Sequence, residues 1–140
     1  MISVMIVDDS SIIRKIFAKN LTDMGFTVSG VAKDGREAIS MYEKLKPDLV
    51  TMDITMPILN GIESLKAIKA KFKDVKVIMI TSHGEEKLVM EALLNGAKGY
   101  VLKPITPEKI QQAIYKIFPQ VIDNNQTKLN NTDIGIITPL

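Results

Sequence analysis

With 140 residues, 46% of them hydrophobic and 24% charged, the chain has the size and balance of one soluble domain with a real core. It holds no Cys, which excludes disulfides and thiolate metal sites, and its net charge of +2 is too small to argue for nucleic acid. The N-terminus lacks the pattern of a signal peptide, and no apolar run is long enough to span a bilayer, so no membrane role is expected.

The elements alternate along the chain. "SVMIV" (3–7) reads as a strand. Ile12, Ile13, Ile16, Phe17, Leu21 and Met24 then recur at helical spacing, with Gly25 as the stop. "TVSGV" is a weaker strand anchored by Val28 and Val31. Asp34 and Glu37 resemble a capping box opening a second helix, which carries Ala38, Ile39, Tyr42 and Leu45 and stops before Pro47. "DLVTM" (48–52) is the third strand. Asn60 and Glu63 open a helix with Ile62, Leu65, Ile68 and Phe72. Its basic stretch "KAIKAKFKDVK" reads as a solvated face. "VKVIMI" (75–80) is the most apolar strand, followed by a helix over 85–95 closed by Gly96. "GYVL" (99–102) is the fifth strand. Thr106 as N-cap and Pro107 at the first position begin a last helix, which Pro119 ends.

Five strands alternating with five helices imply an α/β fold with a parallel sheet covered on both faces. Residues 1–120 are expected to form this domain. Residues 121–140, rich in Asn and Thr and without a period, read as a flexible tail. Within it "IGII" (134–137) is a small apolar patch that suits a sheet edge or a partner. The eight Met residues read as core fillers, and His83 as a surface or partner-facing residue.

In open α/β sheets, ligands bind beyond the carboxyl ends of the strands. Strand one is followed by Asp8 and Asp9, strand three by Asp53, strand four by Thr81 and Ser82, and strand five by Lys103. Singly, each has an ordinary reading. Asp9 or Ser10 can cap a helix, Asp53 can be a turn residue, and Thr81 can be structural. Together they put three carboxylates, a hydroxyl and an ammonium on one edge. Clustered carboxylates need a cation, and hard oxygen ligands without His or Cys favour Mg2+ or a similar ion. A carboxylate can itself accept a phosphoryl group, with cation, ammonium and hydroxyl neutralising the charge in flight.

The pieces "VDDS", "MDITMP" with Gly61, "TS" and "GYVLKP" resemble the receiver domain of two-component response regulators, over about residues 2–119. The resemblance implies a flavodoxin-like doubly wound sheet of order 2-1-3-4-5, for which the chemotaxis receiver is itself a standing example. It implies Asp53 as phospho-acceptor. Asp9, Asp53 and the backbone carbonyl of Thr55 would be direct Mg2+ ligands, with Asp8 acting mainly through water. Thr81 and Lys103 would contact the phosphoryl group. A cis Lys103–Pro104 bond would aim the lysine, small Ser82 would leave room, and Tyr100 would be the aromatic switch. Thr55 also stands where the family tunes its dephosphorylation.

That resemblance implies a cytoplasmic, monomeric signalling switch and not an enzyme, beyond its own Mg2+-dependent phosphorylation and dephosphorylation. Its phosphodonor would be a histidine kinase. Its output would be a protein such as the flagellar motor switch. The alternative on the same site is a phosphorelay intermediate or phosphate sink. A haloacid-dehalogenase phosphatase would need an Asp where Thr55 stands. A flavodoxin-type FMN carrier would not place Asp8 and Asp9 beside the flavin phosphate.

Overall fold

The computed structural model describes residues 1–120; the expected tail and its "IGII" patch lie outside the described residues. In chain order the elements are β1 (Ser3–Val7), α1 (Ser11–Asp23), β2 (Thr27–Ala32), α2 (Gly35–Leu45), β3 (Leu49–Asp53), α3 (Gly61–Lys71), β4 (Val77–Thr81), α4 (Glu86–Leu94), β5 (Gly99–Leu102) and α5 (Pro107–Ile117). The five strands pair in parallel in the order β2-β1-β3-β4-β5. The alternation is the one expected from the sequence, and the order is the one the family resemblance implied.

Side chains alternate across the central strands and feed two cores. Met5, Val7, Val50, Met52, Val77 and Met79 pack with Ala38, Leu65 and Ile68 on the α2–α3 face. Val4, Ile6, Leu49, Ile78 and Ile80 pack with Phe17, Leu21, Ile110 and Ile114 on the α1–α5 face. Strands buried on both sides must be near-continuously apolar, as β1, β3 and β4 are.

Several boundaries and faces differ from the sequence reading. β3 begins and ends one residue later, and β4 starts two later and ends one later, so Asp53 and Thr81 are the last strand residues. The parallel ladder continues into them because Asp53 pairs with Ile80 and Thr81 with Leu102 through backbone groups. Ile12 (68% exposed) and Ile16 (50%) do not join the core. Helix α1 carries two apolar stripes, and only the one through Phe17 and Leu21 faces the sheet. Val31, on the edge strand β2, is also exposed, as is Leu45 in the last turn of α2 over that edge.

Candidate functional site at the carboxyl edge of the sheet

The strand ends bring Asp8, Asp9 and Asp53 together, with one carboxylate oxygen of each within 4.8 Å of the others. Asp8 and Asp53 are buried and Asp9 is exposed. Asp8 is held on several sides. Its N–H donates to the Ala32 carbonyl at 3.0 Å, and its Oδ1 accepts from the Ser10 N–H at 2.9 Å. The Arg14 guanidinium donates to its carbonyl oxygen at 2.7 Å. Ser10, of the two capping candidates, caps α1 by accepting from the Ile13 N–H at 3.3 Å. Arg14 escaped the sequence reading because its contact is to backbone, which no strand-end rule reveals.

Lys103 reaches both buried carboxylates, with Nζ 3.3 Å from Asp53 Oδ2 and 3.5 Å from Asp8 Oδ2. It arrives from β5 with its N–H bonded to the Thr81 carbonyl at 2.7 Å, and its bond to Pro104 is cis, as the family resemblance implied. Lys109 of α5 fixes this turn by donating to the Leu102 and Pro104 carbonyls, each at 3.1 Å. Burial pushes the Asp53 carboxyl up to about 6, and the Asp8 and Asp9 charges push the same way against the pull of Lys103. Burial alone would lower the Lys103 ammonium, but the Asp53 and Asp8 charges outweigh it and hold it above its ordinary value.

Asp53 sits on a rigid support. A Cβ at Gly61 would collide with the Asp53 carbonyl oxygen, so the start of α3 can press against the strand end only without a side chain. The Gly61 N–H donates to the Ile54 carbonyl at 2.8 Å, and the Gly35 N–H to the Leu59 carbonyl at 3.1 Å. Buried Ser64 then donates to the Gly35 carbonyl at 2.8 Å, which ties α2, α3 and the 54–60 loop into one unit.

Opposite stands Thr81, buried, with its hydroxyl donating to Glu85 Oε1 at 2.9 Å. The same oxygen accepts from the Ser82 N–H at 2.6 Å, and Glu85 Oε2 accepts from the Thr55 hydroxyl at 2.5 Å. Burial raises the Glu85 carboxyl, but these donors and the Lys103 charge together hold it below its usual range. Glu85 was read only as the start of a helix. The available signal was that Glu is a poor residue at an N-cap. Tyr100 is 54% exposed, its side chain outward on β5. It shares a cavity of about 330 Å³ with Thr81, His83, Val89, Met90 and Leu102. His83 lies exposed on the loop, as expected.

Three hard oxygen donors against a single ammonium make a donor set that a small divalent cation fits. Residues 4–115 match the response regulator receiver domain family. The chain is 41% identical to the chemotaxis protein CheY of Thermotoga maritima over 114 residues, 81% of this chain and 95% of that one. It is 38% identical to the chemotaxis protein CheY of Bacillus subtilis over 113 residues, 81% of this chain and 94% of that one. Among solved structures, the CheX–CheY–BeF3–Mg2+ complex from Borrelia burgdorferi superposes with a TM-score of 0.80 at 39% identity, covering 84% of this chain and 89% of that one. The chain belongs to the response regulator receiver family, whose members are signalling switches that accept a phosphoryl group.

Proposed function

We propose that Asp53 is the phosphoryl acceptor of a chemotaxis-type response regulator, with residues 1–120 as its receiver unit. The observation that supports this best is the buried Asp53 carboxylate at the end of a central strand, with the Lys103 ammonium bridging it to Asp8. An Asp53 carboxylate oxygen attacks phosphorus. The bond from phosphorus to the donor's imidazole nitrogen or acetate oxygen breaks, and its electron pair leaves with that atom. Lys103 and the Thr81 hydroxyl neutralise the charge on the phosphoryl oxygens. Asp9, Asp53 and the Thr55 carbonyl would hold Mg2+ directly, with Asp8 through water. The ion supplies charge that offsets the carboxylates and the phosphoryl oxygens.

The output reading rests on Tyr100. When Thr81 turns to the phosphoryl group, the outward ring can fill the space beside it, and the α4–β5 surface changes shape. The relatives named chemotaxis protein CheY support a histidine kinase as donor, a flagellar motor switch protein as target and a cytoplasmic setting. No helix among the described residues is long and apolar enough to cross a membrane.

Acetyl phosphate with Mg2+ should label the protein, and Asp53→Asn should abolish the label. Label of wild-type strength on the Asn variant, read by phosphate-affinity electrophoresis, would remove Asp53 from this role.

A further inference from the structure

Glu85 has three hydrogen bonds that the reading above leaves unexplained. It stands at the N-cap of α4, yet its side chain makes no cap bond. Its carboxylate instead accepts from the Thr81 hydroxyl and the Ser82 N–H through one oxygen and from the Thr55 hydroxyl through the other. These donors come from two separate chain segments, the residues after β3 and the end of β4. A planar anion is thus held between them, in the field of Lys103.

We propose that Glu85 is an internal anion that competes with the phosphoryl group for the Thr81 donor set. The inference rests on the phosphoryl-acceptor reading, which gives the Thr81 hydroxyl to a phosphoryl oxygen. A hydroxyl carries one proton and donates it to one acceptor at a time. Thr81 therefore cannot serve Glu85 and a phosphoryl oxygen together. The incoming group also brings negative charge toward a carboxylate that has no cation within ion-pairing distance among the described residues. Phosphorylation therefore forfeits the Thr81–Glu85 bond, so Glu85 weakens the hold of the site on the phosphoryl group. Because Glu85 is the N-cap residue of α4, loss of that bond is felt where the helix starts. Glu85 acts as a positioning residue on Thr81 and does not touch the transferred group.

The test is isothermal calorimetry of beryllofluoride binding in saturating Mg2+, on the full chain, for wild type, Glu85→Gln, Glu85→Ala and the neighbouring Glu86→Gln. Glu86 is exposed and carries the same charge, so it controls for net charge alone. Glu85→Gln and Glu85→Ala should each bind about tenfold more tightly than wild type, the low end of the scale of one hydrogen bond to a charged group. Glu86→Gln should stay within about twofold. Wild-type affinity in both Glu85 variants, or an equal gain in Glu86→Gln, overturns the proposal. Acetyl phosphate labelling of the wild type, run alongside, separates the two readings. A wild type that takes no label refutes the acceptor assignment, whereas a labelled wild type with unchanged Glu85 variants refutes only the competitor.

Discussion

Helices α3 and α4 each follow a central strand, and both begin at the carboxylate edge, yet the fold holds them very differently. Helix α3 is capped by Asn60, whose Oδ1 accepts from the Glu63 N–H at 2.9 Å, and it buries Gly61, Ile62, Ser64, Leu65 and Ile68. Helix α4 is the more apolar in composition, yet it has no side-chain cap and buries only Ala92. Leu88, Met90, Leu93 and Leu94 stay exposed, Leu94 at 81%. Apolar content therefore does not measure attachment. Spacing onto the sheet and a satisfied first turn do. The acceptor side of the site rests on the anchored helix, and the Thr81–Tyr100 side borders the loosely held one.

The sharpest way to break this contrast is a matched pair of truncations. Ile68→Ala, in the buried face of α3, should cost about 2–5 kcal/mol in urea unfolding, through lost transfer energy and a cavity. Leu94→Ala on α4 should change stability by no more than ~0.5 kcal/mol. Equal losses would mean the two helices are held alike.

Next in size is the charge trapped on the anchored side. The Asp53 carboxyl is raised from 3.8 to about 6, so the folded state binds its proton more tightly than the unfolded state does. That contribution is present below about pH 4 and is lost as pH rises through about 6. Without metal, Asp53→Asn should therefore be more stable than wild type by about 2–3 kcal/mol at pH 8, with the gain vanishing toward pH 4. Asp8, Asp9 and Lys103 are the charged groups that face it. Added Mg2+ should shrink the gap by stabilising the wild type. A gap independent of pH in thermal melts would contradict the trapped charge.

The smallest effect concerns the caps. Asn60→Ala should cost about 1 kcal/mol by removing the bond to the Glu63 N–H. A loss under a few tenths would show that the first turn of α3 is held by burial alone.

The sequence made the βα alternation, the capping residues and the convergence of Asp8, Asp9, Asp53, Thr81 and Lys103 legible, because strand ends in a parallel sheet share an edge; the strand order came only with the family resemblance. It misplaced Ile12 and Ile16, since periodicity shows that a helix has an apolar stripe but not which of two stripes meets the sheet. It also missed Arg14 and Glu85. Both reach the site sideways from helix starts, through long side chains whose direction depends on tertiary packing. Thr55 was read through its backbone carbonyl, while its hydroxyl turned out to face Glu85.

The ties of the 54–60 loop have a consequence for how this site can change over generations. Gly61 bonds back to Ile54, and Leu59 accepts from the start of α2, so the loop is measured at both ends. One residue more or less would move Gly61 off the Asp53 carbonyl and take the carboxylate out of register with Asp8 and Lys103. An insertion or deletion in this stretch should therefore disturb the site far more than a substitution at the exposed positions Thr55, Pro57 and Ile58.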